Sequence, residues 1–471
     1  MAAQAVHTLL VLVSTAVLAR LLTPADFGLV ALAGLLHGLL NLVRDAGLSE
    51  ASVQARRLGH EQASNLFWAS VAFSLLLCLA AVALAPGLAT LYGEPRLVVI
   101  AIALSLGLLA GGLGSQHEAL LRRALRFQAL SAIRLVASIM GTLCGVVVAW
   151  QTHSFWALVA IPVATAWLQT GLLWLTCPWK PGRARCGVGS RALLRFGADV
   201  TGFNLVNFLR RSADNALLGY FAGPAVLGLY SKAYQLLLLP IQQVNRPVTQ
   251  VVLPALARLR DDPALYLACY RSALTCTTAV AMPVVAFLAI DVERVVALLL
   301  GDQWTGVVPI FRILALAAFV DTFNVATGWV YLSLGHTARQ LRWAFAQSAV
   351  FLVAFAIGVH WGAEGVAAAY VVALALVRVP ALLVCFAGTP LRLADVSSAI
   401  WRPALAATLA AAGPVAVQHW PSPILPVLQL SLDLVAYFVV YLAAWALLPG
   451  GAGAMRFLGE TLFEREPGPV Q

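Results

Sequence analysis

Fourteen apolar segments, most of them about 20 residues long, follow one another along almost the whole chain. A helix of about 20 residues is long enough to cross the roughly 30 Å hydrocarbon core of a bilayer. The segments are far longer than the roughly 10-residue alternating strands of an outer-membrane barrel. The sequence therefore predicts an all-α polytopic membrane protein with about 14 transmembrane helices. The predicted spans are residues 2–22, 27–48, 63–85, 97–116, 129–150, 154–175, 197–222, 226–253, 266–290, 307–333, 342–360, 364–386, 398–418 and 424–448.

Composition excludes the other classes of protein. Hydrophobic residues make up 61% of the 471 residues and charged residues 11%, and a soluble fold could not cover so much apolar surface. The net charge of +10 comes from Arg residues placed singly or in pairs between spans, which is typical of topogenic charge and not of nucleic-acid binding. The seven Cys lack zinc-ligand spacing, and the chain contains no phosphate-binding Gly-Lys-Ser/Thr loop. We expect no metal, no cofactor and no enzymatic activity.

The distribution of Lys and Arg predicts the orientation. With the N-terminus in the cytoplasm, the inside segments hold eighteen of these residues, and the outside segments hold only Arg20, Arg96 and Arg294. This asymmetry favours an even number of spans with both termini cytoplasmic. The first span has neither a charged leader nor a small-residue cleavage site, so we expect a retained helix and not a signal peptide.

Two segments 200 residues apart are similar. Residues 18–30 read LARLLTPADFGLV, and residues 218–230 read LGYFAGPAVLGLY. Each joins the end of one span to the start of the next, which predicts two six-span halves in the same orientation, although chance similarity between apolar turns is the alternative. The predicted regions are an N-terminal lobe (1–175), a cytoplasmic basic linker (176–196), a C-terminal lobe (197–386), two additional helices (398–448) and a cytoplasmic tail (449–471).

Ionisable side chains recur inside three spans, where each costs at least about 2.5–3.5 kcal/mol at the bilayer centre. At 100° per residue, each set occupies an arc of about 100–140°. The sets are His37, Asn41, Arg44 and Asp45 in the second span; Asn204, Asn207, Arg210, Arg211 and Asp214 in the seventh; and Lys232, Gln235, Gln242, Asn245, Arg246 and Thr249 in the eighth. Basic groups outnumber acidic ones in these sets, which favours a water-filled cavity that binds an anion. Arginine suits phosphate in particular, because its planar guanidinium can donate two parallel hydrogen bonds to it.

A structural interpretation stays open for each residue. Arg44 and Asp45 could form a local ion pair, and Asp214 could neutralise Lys232 and Arg246. Arg134 and Arg312 could extend towards the membrane surface. The GxxxG spacings at Gly34–Gly38, Gly107–Gly111 and Gly358–Gly362 predict close helix packing and not a dimer face.

Several segments together resemble the bacterial polysaccharide exporters and oligosaccharide flippases of the multidrug/oligosaccharidyl-lipid/polysaccharide superfamily, in particular the lipopolysaccharide and colanic-acid exporter branch. The segments are LARLLTPADFGLVALA (18–33), LVRDAGLSEASVQ (42–54), LYGEPRLV (91–98), LLRRALRFQAL (120–130), SADNALLGYFAGPAVLGLYSKAYQLLLLPIQQV (212–244), LPALARLRDD (253–262) and LLGDQWTGVVPIFRILAL (299–316). Members of this family usually have several more residues before the first span, so the resemblance implies a shortened start.

The resemblance implies two six-helix lobes around a central cavity, located in the bacterial inner membrane. It implies that undecaprenyl-diphosphate-linked oligosaccharide crosses that membrane by alternating access, with a polysaccharide polymerase and glycosyltransferases of the same pathway as further partners. Arg and Lys side chains would hold the diphosphate, and Asn, Gln and Tyr would meet the sugars. The substrate-binding candidates are Arg44, Asn207, Arg210, Arg211, Lys232, Gln242 and Arg246.

Two other functional classes compete with this interpretation. A drug/cation antiporter of the multidrug and toxin extrusion type would need a carboxylate-rich pocket. A membrane-embedded glycan polymerase or ligase would need a large periplasmic loop, whereas the longest predicted outside loop is residues 291–306. Without a nucleotide site, ligands, ions or the membrane potential must bias the inward and outward states. The ion-coupling candidates are Asp45, Asp214 and Asp321, of which Asp321 has no basic residue near it in its own span and is expected to be unpaired.

Overall fold

The computed structural model describes residues 2–44, 59–183, 191–414, 426–451, 453 and 455. Of residues 2–5, 7, 191–207, 209–211 and 426 it describes the backbone alone. The described residues form α-helices joined by short turns, with no strand among them. This agrees with a sequence in which helices alone can satisfy the backbone polar groups of long apolar spans.

We number the described α-helices in chain order. They are α1 Ala2–Leu21, α2 Pro24–Arg44, α3 His60–Tyr92, α4 Arg96–Arg123, α5 Phe127–Thr152, α6 Trp156–Thr176, α7 Arg191–Arg258, α8 Pro263–Ile290, α9 Val292–Leu299, α10 Val307–Asp321, α11 Val325–Ser333, α12 Thr337–Gly358, α13 Gly362–Phe386, α14 Leu393–Leu409 and α15 Pro426–Leu447. Helix α7 consists of two arms that meet at Gly223, where φ is 80° and ψ is 175°. Glycine suits this junction because a side chain would disfavour the positive φ.

Each of the fourteen predicted spans overlaps one of these helices, and the two arms of α7 correspond to the seventh and eighth spans. The tenth span is interrupted between Asp321 and Val325. Within the described part of the chain, nine helical stretches are long and apolar enough to cross a membrane, and one of them contains both α12 and α13. The polytopic helical fold is therefore confirmed, whereas the count of fourteen spans stays a prediction.

The chain divides into two compact units. The first consists of Met1–Ser231, Leu299–Gln303 and Phe355–Val366, and the second of Lys232–Leu298, Trp304–Ala354 and Ala367–Gln471. In the first unit α4 packs against α2, α3 and α6, and α5 packs against α6 and α1. Helix α4 thus lies at the centre of this unit, where it can line any space among its neighbours. The predicted division into lobes stays a prediction.

The two similar turns contact each other within the first unit. The first turn starts α2 with a proline, and Thr23 Oγ1 donates to Asp26 Oδ2 at 2.6 Å. A side chain on Gly28 would overlap the carbonyl of Pro224, and one on Gly228 would overlap the carbonyl of Pro24. Glycine at these two positions therefore allows each helix to approach the other turn's backbone.

The segment after α6 is fastened to α3 in the same unit. Trp68 Nε1 donates to the Gly182 carbonyl at 2.8 Å, and the Gly182 amide donates to Ser64 Oγ at 2.9 Å. Trp179 Nε1 donates to His60 Nδ1 at 3.2 Å. The first part of the predicted linker is therefore bound to the start of α3 by side chains that the sequence places more than 100 residues earlier.

The last two helices pack against α8 in the second unit. Asp395 of α14 pairs with Arg271 of α8, and Asp433 of α15 pairs with Arg294 of α9. Between these two ion pairs, Tyr441 Oη donates to the Ala279 carbonyl at 2.8 Å. The Asp433 side chain is completely buried, so its pairing offsets a large desolvation cost. Helices α14 and α15 are thus fixed to α8 and α9 at separate points.

A basic cavity as candidate functional site

A cavity of about 660 Å³ lies in the first unit among α2, α4, α5 and α6. Its polar lining combines three arginines and one carboxylate with neutral hydrogen-bonding groups. These residues are His37, Asn41, Arg44, Ser115, Glu118, Arg122, Arg134, Thr165, Gln169 and Thr170. Because the arginines outnumber the carboxylate, the cavity favours an anion among otherwise apolar helices.

Arg44, a predicted substrate-binding residue, lines this cavity from the last turn of α2. Its guanidinium lies against α4 at Gly111, where a side chain would overlap it. A Cβ built on Gly107, one turn earlier, would come within 3.7 Å of His37 Cε1. Gly111 therefore leaves room for the Arg44 guanidinium, whereas a side chain on Gly107 would make only an ordinary van der Waals contact with His37.

Two further polar groups of α2 belong to the cavity. His37 Nδ1 and Asn41 Oδ1 are buried, and neither atom has a hydrogen-bond partner among the described residues. Burying such a group without a partner costs about 1–3 kcal/mol. This cost is avoided when water or a ligand in the cavity supplies the missing hydrogen bonds.

Glu118 connects the other two arginines. Its Oε1 accepts from Arg122 Nη2 at 2.6 Å and also pairs with Arg134, while its Oε2 accepts from Gln169 Nε2 at 3.5 Å. Arg122 stands one turn further along α4, Arg134 is on α5, and Gln169 is on α6. Glu118, Arg122 and Gln169 were not among the predicted site residues; the spacing of Glu118 and Arg122 by four residues was the available signal.

The predicted residues of the second unit lie along the C-terminal arm of α7. Lys232 is buried, and its Nζ donates to Gln235 Oε1 at 3.0 Å. Arg246 Nη2 donates to Gln242 Oε1 at 3.3 Å. The partners are three residues apart in the first pair and four in the second, which is the spacing of neighbouring side chains on one face of a helix. The structure therefore places the predicted Lys232, Gln242 and Arg246 in two separate hydrogen-bonded pairs along this arm.

The side chains of four predicted site residues are not among those that the structure describes. Asp45 is not among the described residues, and neither are the side chains of Asn207, Arg210 and Arg211. The neighbouring Asp214 is described and buried, and its Oδ2 accepts from Tyr230 Oη at 3.0 Å. This hydrogen bond joins the two arms of α7. The neutralisation of Lys232 and Arg246 by Asp214 stays a prediction.

The expectation that Asp321 is unpaired is wrong. Arg378 of α13 pairs with Asp321 and donates from Nη1 to Asn324 Oδ1 at 2.6 Å. Only 8% of the Arg378 side chain is exposed, so the carboxylate compensates a nearly buried cation. The span that contains Asp321 holds no sign of this partner, which lies 57 residues later in the chain.

The two residues expected to extend towards the membrane surface are also paired. Arg134 pairs with Glu118 in the cavity, and Arg312 Nη2 donates to Glu293 Oε1 at 2.9 Å in the second unit. Both side chains of the second pair are more than half exposed. The ion pair of Arg312 and Glu293 is therefore exposed on both sides, unlike the ion pair of Arg134 with the largely covered Glu118.

Comparison with known proteins identifies relatives of the chain. A family described as "Polysaccharide biosynthesis protein" matches residues 17–309. The Escherichia coli lipopolysaccharide biosynthesis protein WzxC is 23% identical over 74% of this chain and 71% of its own length. The succinoglycan biosynthesis transport protein ExoT of Rhizobium meliloti is 27% identical over 74% of this chain and 70% of its own length.

Solved structures are similar over most of the chain. The lipid II flippase MurJ in an inward closed conformation has a TM-score of 0.76 at 12% identity, over 93% of this chain and 96% of its own. An inward-facing multidrug transporter of the MATE family has a TM-score of 0.60 at 18% identity, over 80% of this chain and 93% of its own. These likenesses concern the fold, which is thus shared by transporters of different substrates.

Proposed function

Because the chain belongs to the polysaccharide biosynthesis protein family, we propose that it is a flippase that carries a lipid-linked oligosaccharide across the bacterial inner membrane. The substrate would serve the biosynthesis of a surface polysaccharide, either lipopolysaccharide or exopolysaccharide. The proposed carrier is undecaprenyl diphosphate, and the proposed mechanism is alternating access with both termini in the cytoplasm. Transport of this kind makes and breaks no covalent bond, so we assign no enzymatic activity.

The observation that carries the proposal is the basic cavity among α2, α4, α5 and α6. Arg44, Arg122 and Arg134 line it together with neutral groups that can hydrogen-bond to sugars. An arginine can donate two parallel hydrogen bonds to a phosphate. Each charge-assisted bond contributes about 1.5–3 kcal/mol, or about ten- to a hundredfold in affinity. The cavity is therefore suited to the diphosphate and the sugars next to it.

The other candidate residues extend this assignment. We propose that Asn207, Arg210, Arg211, Lys232, Gln242 and Arg246 also contact the substrate. The long polyprenyl chain would stay in the bilayer, because its apolar surface gains nothing from a polar cavity. A polysaccharide polymerase and glycosyltransferases of the same pathway would supply and consume the substrate.

The energy source is proposed to be an ion gradient or the membrane potential. Asp45, Asp214 and Asp321 are the candidate carboxylates for ion coupling. The pairing of Asp321 with Arg378 gives this proposal a specific form, because a bound cation would have to compete with the guanidinium. A membrane potential acting on the anionic substrate is the simpler driver if no such competition occurs.

The competing function is export of cationic drugs. It would need carboxylates to hold a cation, but Glu118 is the only carboxylate among the residues that line the described cavity. That carboxylate already pairs with two arginines. The lining therefore favours an anionic substrate over a cationic drug.

Transport in reconstituted vesicles tests the proposal. Purified protein is inserted into vesicles that contain fluorescent lipid-linked oligosaccharide, and a membrane-impermeant quencher reports the fraction that has changed leaflet. We expect faster transfer than in protein-free vesicles, and no accumulation of ethidium under the same gradients. Accumulation of ethidium without transfer of the glycan would overturn the proposal in favour of the antiporter.

A further inference from the structure

Glu118 occupies the position that an oxyanion would take between two cavity arginines. The terminal nitrogens of Arg122 and Arg134 converge on the same oxygen, Oε1, and Gln169 donates to the second oxygen. The donors come from three helices, α4, α5 and α6. A carboxylate oxygen and a phosphate oxygen accept the same hydrogen bonds from arginine. Arg122, Arg134 and Gln169 therefore form a cradle that can hold an oxyanion. The anion that the cradle holds here is the protein's own Glu118 carboxylate.

The arginines of this cradle remain accessible from the cavity. The side chains of Arg134 and Arg122 are 52% and 34% exposed, whereas that of Glu118 is 18% exposed. An incoming oxyanion can therefore reach the guanidinium groups of Arg122 and Arg134, and the exchange requires the Glu118 carboxylate to rotate about its own side-chain bonds.

We propose that Glu118 is a displaceable internal anion, which holds Arg122 and Arg134 in the empty protein and gives them up to an oxyanion of the substrate. This inference rests on the proposed function for the identity of the substrate, but the exchange itself concerns the chemistry of the cavity. The oxyanion is either a phosphate of the lipid carrier or the carboxylate of an acidic sugar. After transport, Glu118 would recapture the arginines and so promote release.

The exchange predicts an effect opposite to that of an ordinary structural ion pair. If Glu118 competes with the ligand, its removal strengthens anion binding. If Glu118 only positions the arginines, its removal leaves the affinity unchanged or weakens it. The sign of the change therefore separates the two roles, independently of its size.

Titration calorimetry on the purified full-length protein measures this sign, with inorganic pyrophosphate and glucuronate as separate probes. We expect Glu118→Gln to bind one of these anions about fivefold more tightly, which corresponds to the loss of a competing pair. Arg122→Gln and Arg134→Gln should each bind it about tenfold more weakly. A stronger effect on pyrophosphate assigns the cradle to the carrier, and a stronger effect on glucuronate assigns it to an acidic sugar.

Two further variants control for charge and for folding. Glu293→Gln removes the carboxylate of the exposed pair with Arg312 and changes the net charge equally, and it should not alter the affinity. Glu118→Asp keeps the charge but withdraws it by one methylene, so its affinity should lie between wild type and Glu118→Gln. It also tests the proposal if Glu118→Gln does not fold. Unchanged or weaker binding of both anions by the folded Glu118 variants would overturn the inference.

The result is distinguishable from failure of the proposed function. Wild-type protein that transfers no lipid-linked oligosaccharide, but whose Glu118→Gln variant binds an anion more tightly, would refute the function and support the exchange. Normal transfer by wild type, without tighter binding in the Glu118 variants, would support the function and refute the exchange.

Discussion

The guanidinium of Arg44 lies against Gly111, in the space that any side chain at that position would occupy. We therefore predict that Gly111→Ala displaces the arginine from its place in the cavity. Transport of lipid-linked oligosaccharide should fall about tenfold, as expected for the loss of one charge-assisted hydrogen bond. The measurement is the rate of leaflet transfer at equal amounts of inserted protein.

Gly34 provides the matched control for this substitution. It lies in α2, and a side chain there would have no atom of the described residues within 4 Å. Gly34→Ala should preserve transport and slightly stabilise the helix, because alanine has the higher helix propensity. Equal loss in Gly34→Ala and Gly111→Ala would show that the space around Arg44 does not matter.

The arginines of the predicted stripe on α7 provide a second prediction. Arg211→Ala and Arg246→Ala should each lose glycan export while the protein still accumulates in the membrane, with binding weakened about ten- to a hundredfold. Arg211→Lys should be intermediate, because it retains the charge but not the planar fork. Export and protein level are measured in the same cells, and full export by both alanine variants would make the stripe structural.

The ion pair between Asp321 and Arg378 predicts a stability effect. Asp321→Asn leaves a nearly buried guanidinium without its carboxylate, so unfolding should become easier by about 1–3 kcal/mol. The double variant Asp321→Asn/Arg378→Gln removes both charges and should recover part of this loss. Thermal unfolding in detergent measures the stability of the double variant and of the single variants Asp321→Asn and Arg378→Gln. A loss of stability in the double variant equal to the sum of the two single losses would contradict the coupling.

The same variant tests ion coupling. If Asp321 binds the coupling ion, Asp321→Asn should weaken the response of transport to an imposed pH or Na⁺ gradient. Vesicles with defined inside and outside solutions measure this response. An unchanged gradient dependence would exclude Asp321 from energy coupling and favour the membrane potential.

The charge distribution predicts the topology. Reporter fusions after Gln151, Gly223 and Trp420 should be periplasmic, and fusions after Arg185 and Arg392 should be cytoplasmic. The physical reason is that Lys and Arg are retained on the cytoplasmic side during insertion. A periplasmic signal after Arg185 would contradict the number of helices predicted for the first half.

The sequence was sufficient to predict the helices because membrane-spanning helices depend on local properties. An apolar run of the right length, ended by Pro, Gly or charge, contains the needed information within about 20 residues. Even the junction at Gly223 was predictable as a break between two spans, although its glycine conformation was not.

The cavity could be predicted only in part, because its geometry depends on contacts between helices. The polar face of α2 identified His37, Asn41 and Arg44, which share one side of a single helix. Glu118 acquires its role from Arg134 and Gln169, which follow 16 and 51 residues later on other helices. No periodicity within one span carries that information. The same limit explains why Asp321 was expected to be unpaired.

The exchanged contacts of Gly28 with Pro224 and of Gly228 with Pro24 bear on the origin of the chain. In a dimer with a twofold axis, a residue i of one subunit that contacts residue j of the other implies the reverse contact, from residue j of the first subunit to residue i of the second. Here that reciprocity occurs within one polypeptide, between turns that share the spacing from proline to glycine. Such a pair of contacts is what duplication and fusion of the gene for a self-associating half-length protein would leave. In a homodimeric ancestor, the proline–glycine turn of one subunit would have contacted the same turn of the other subunit.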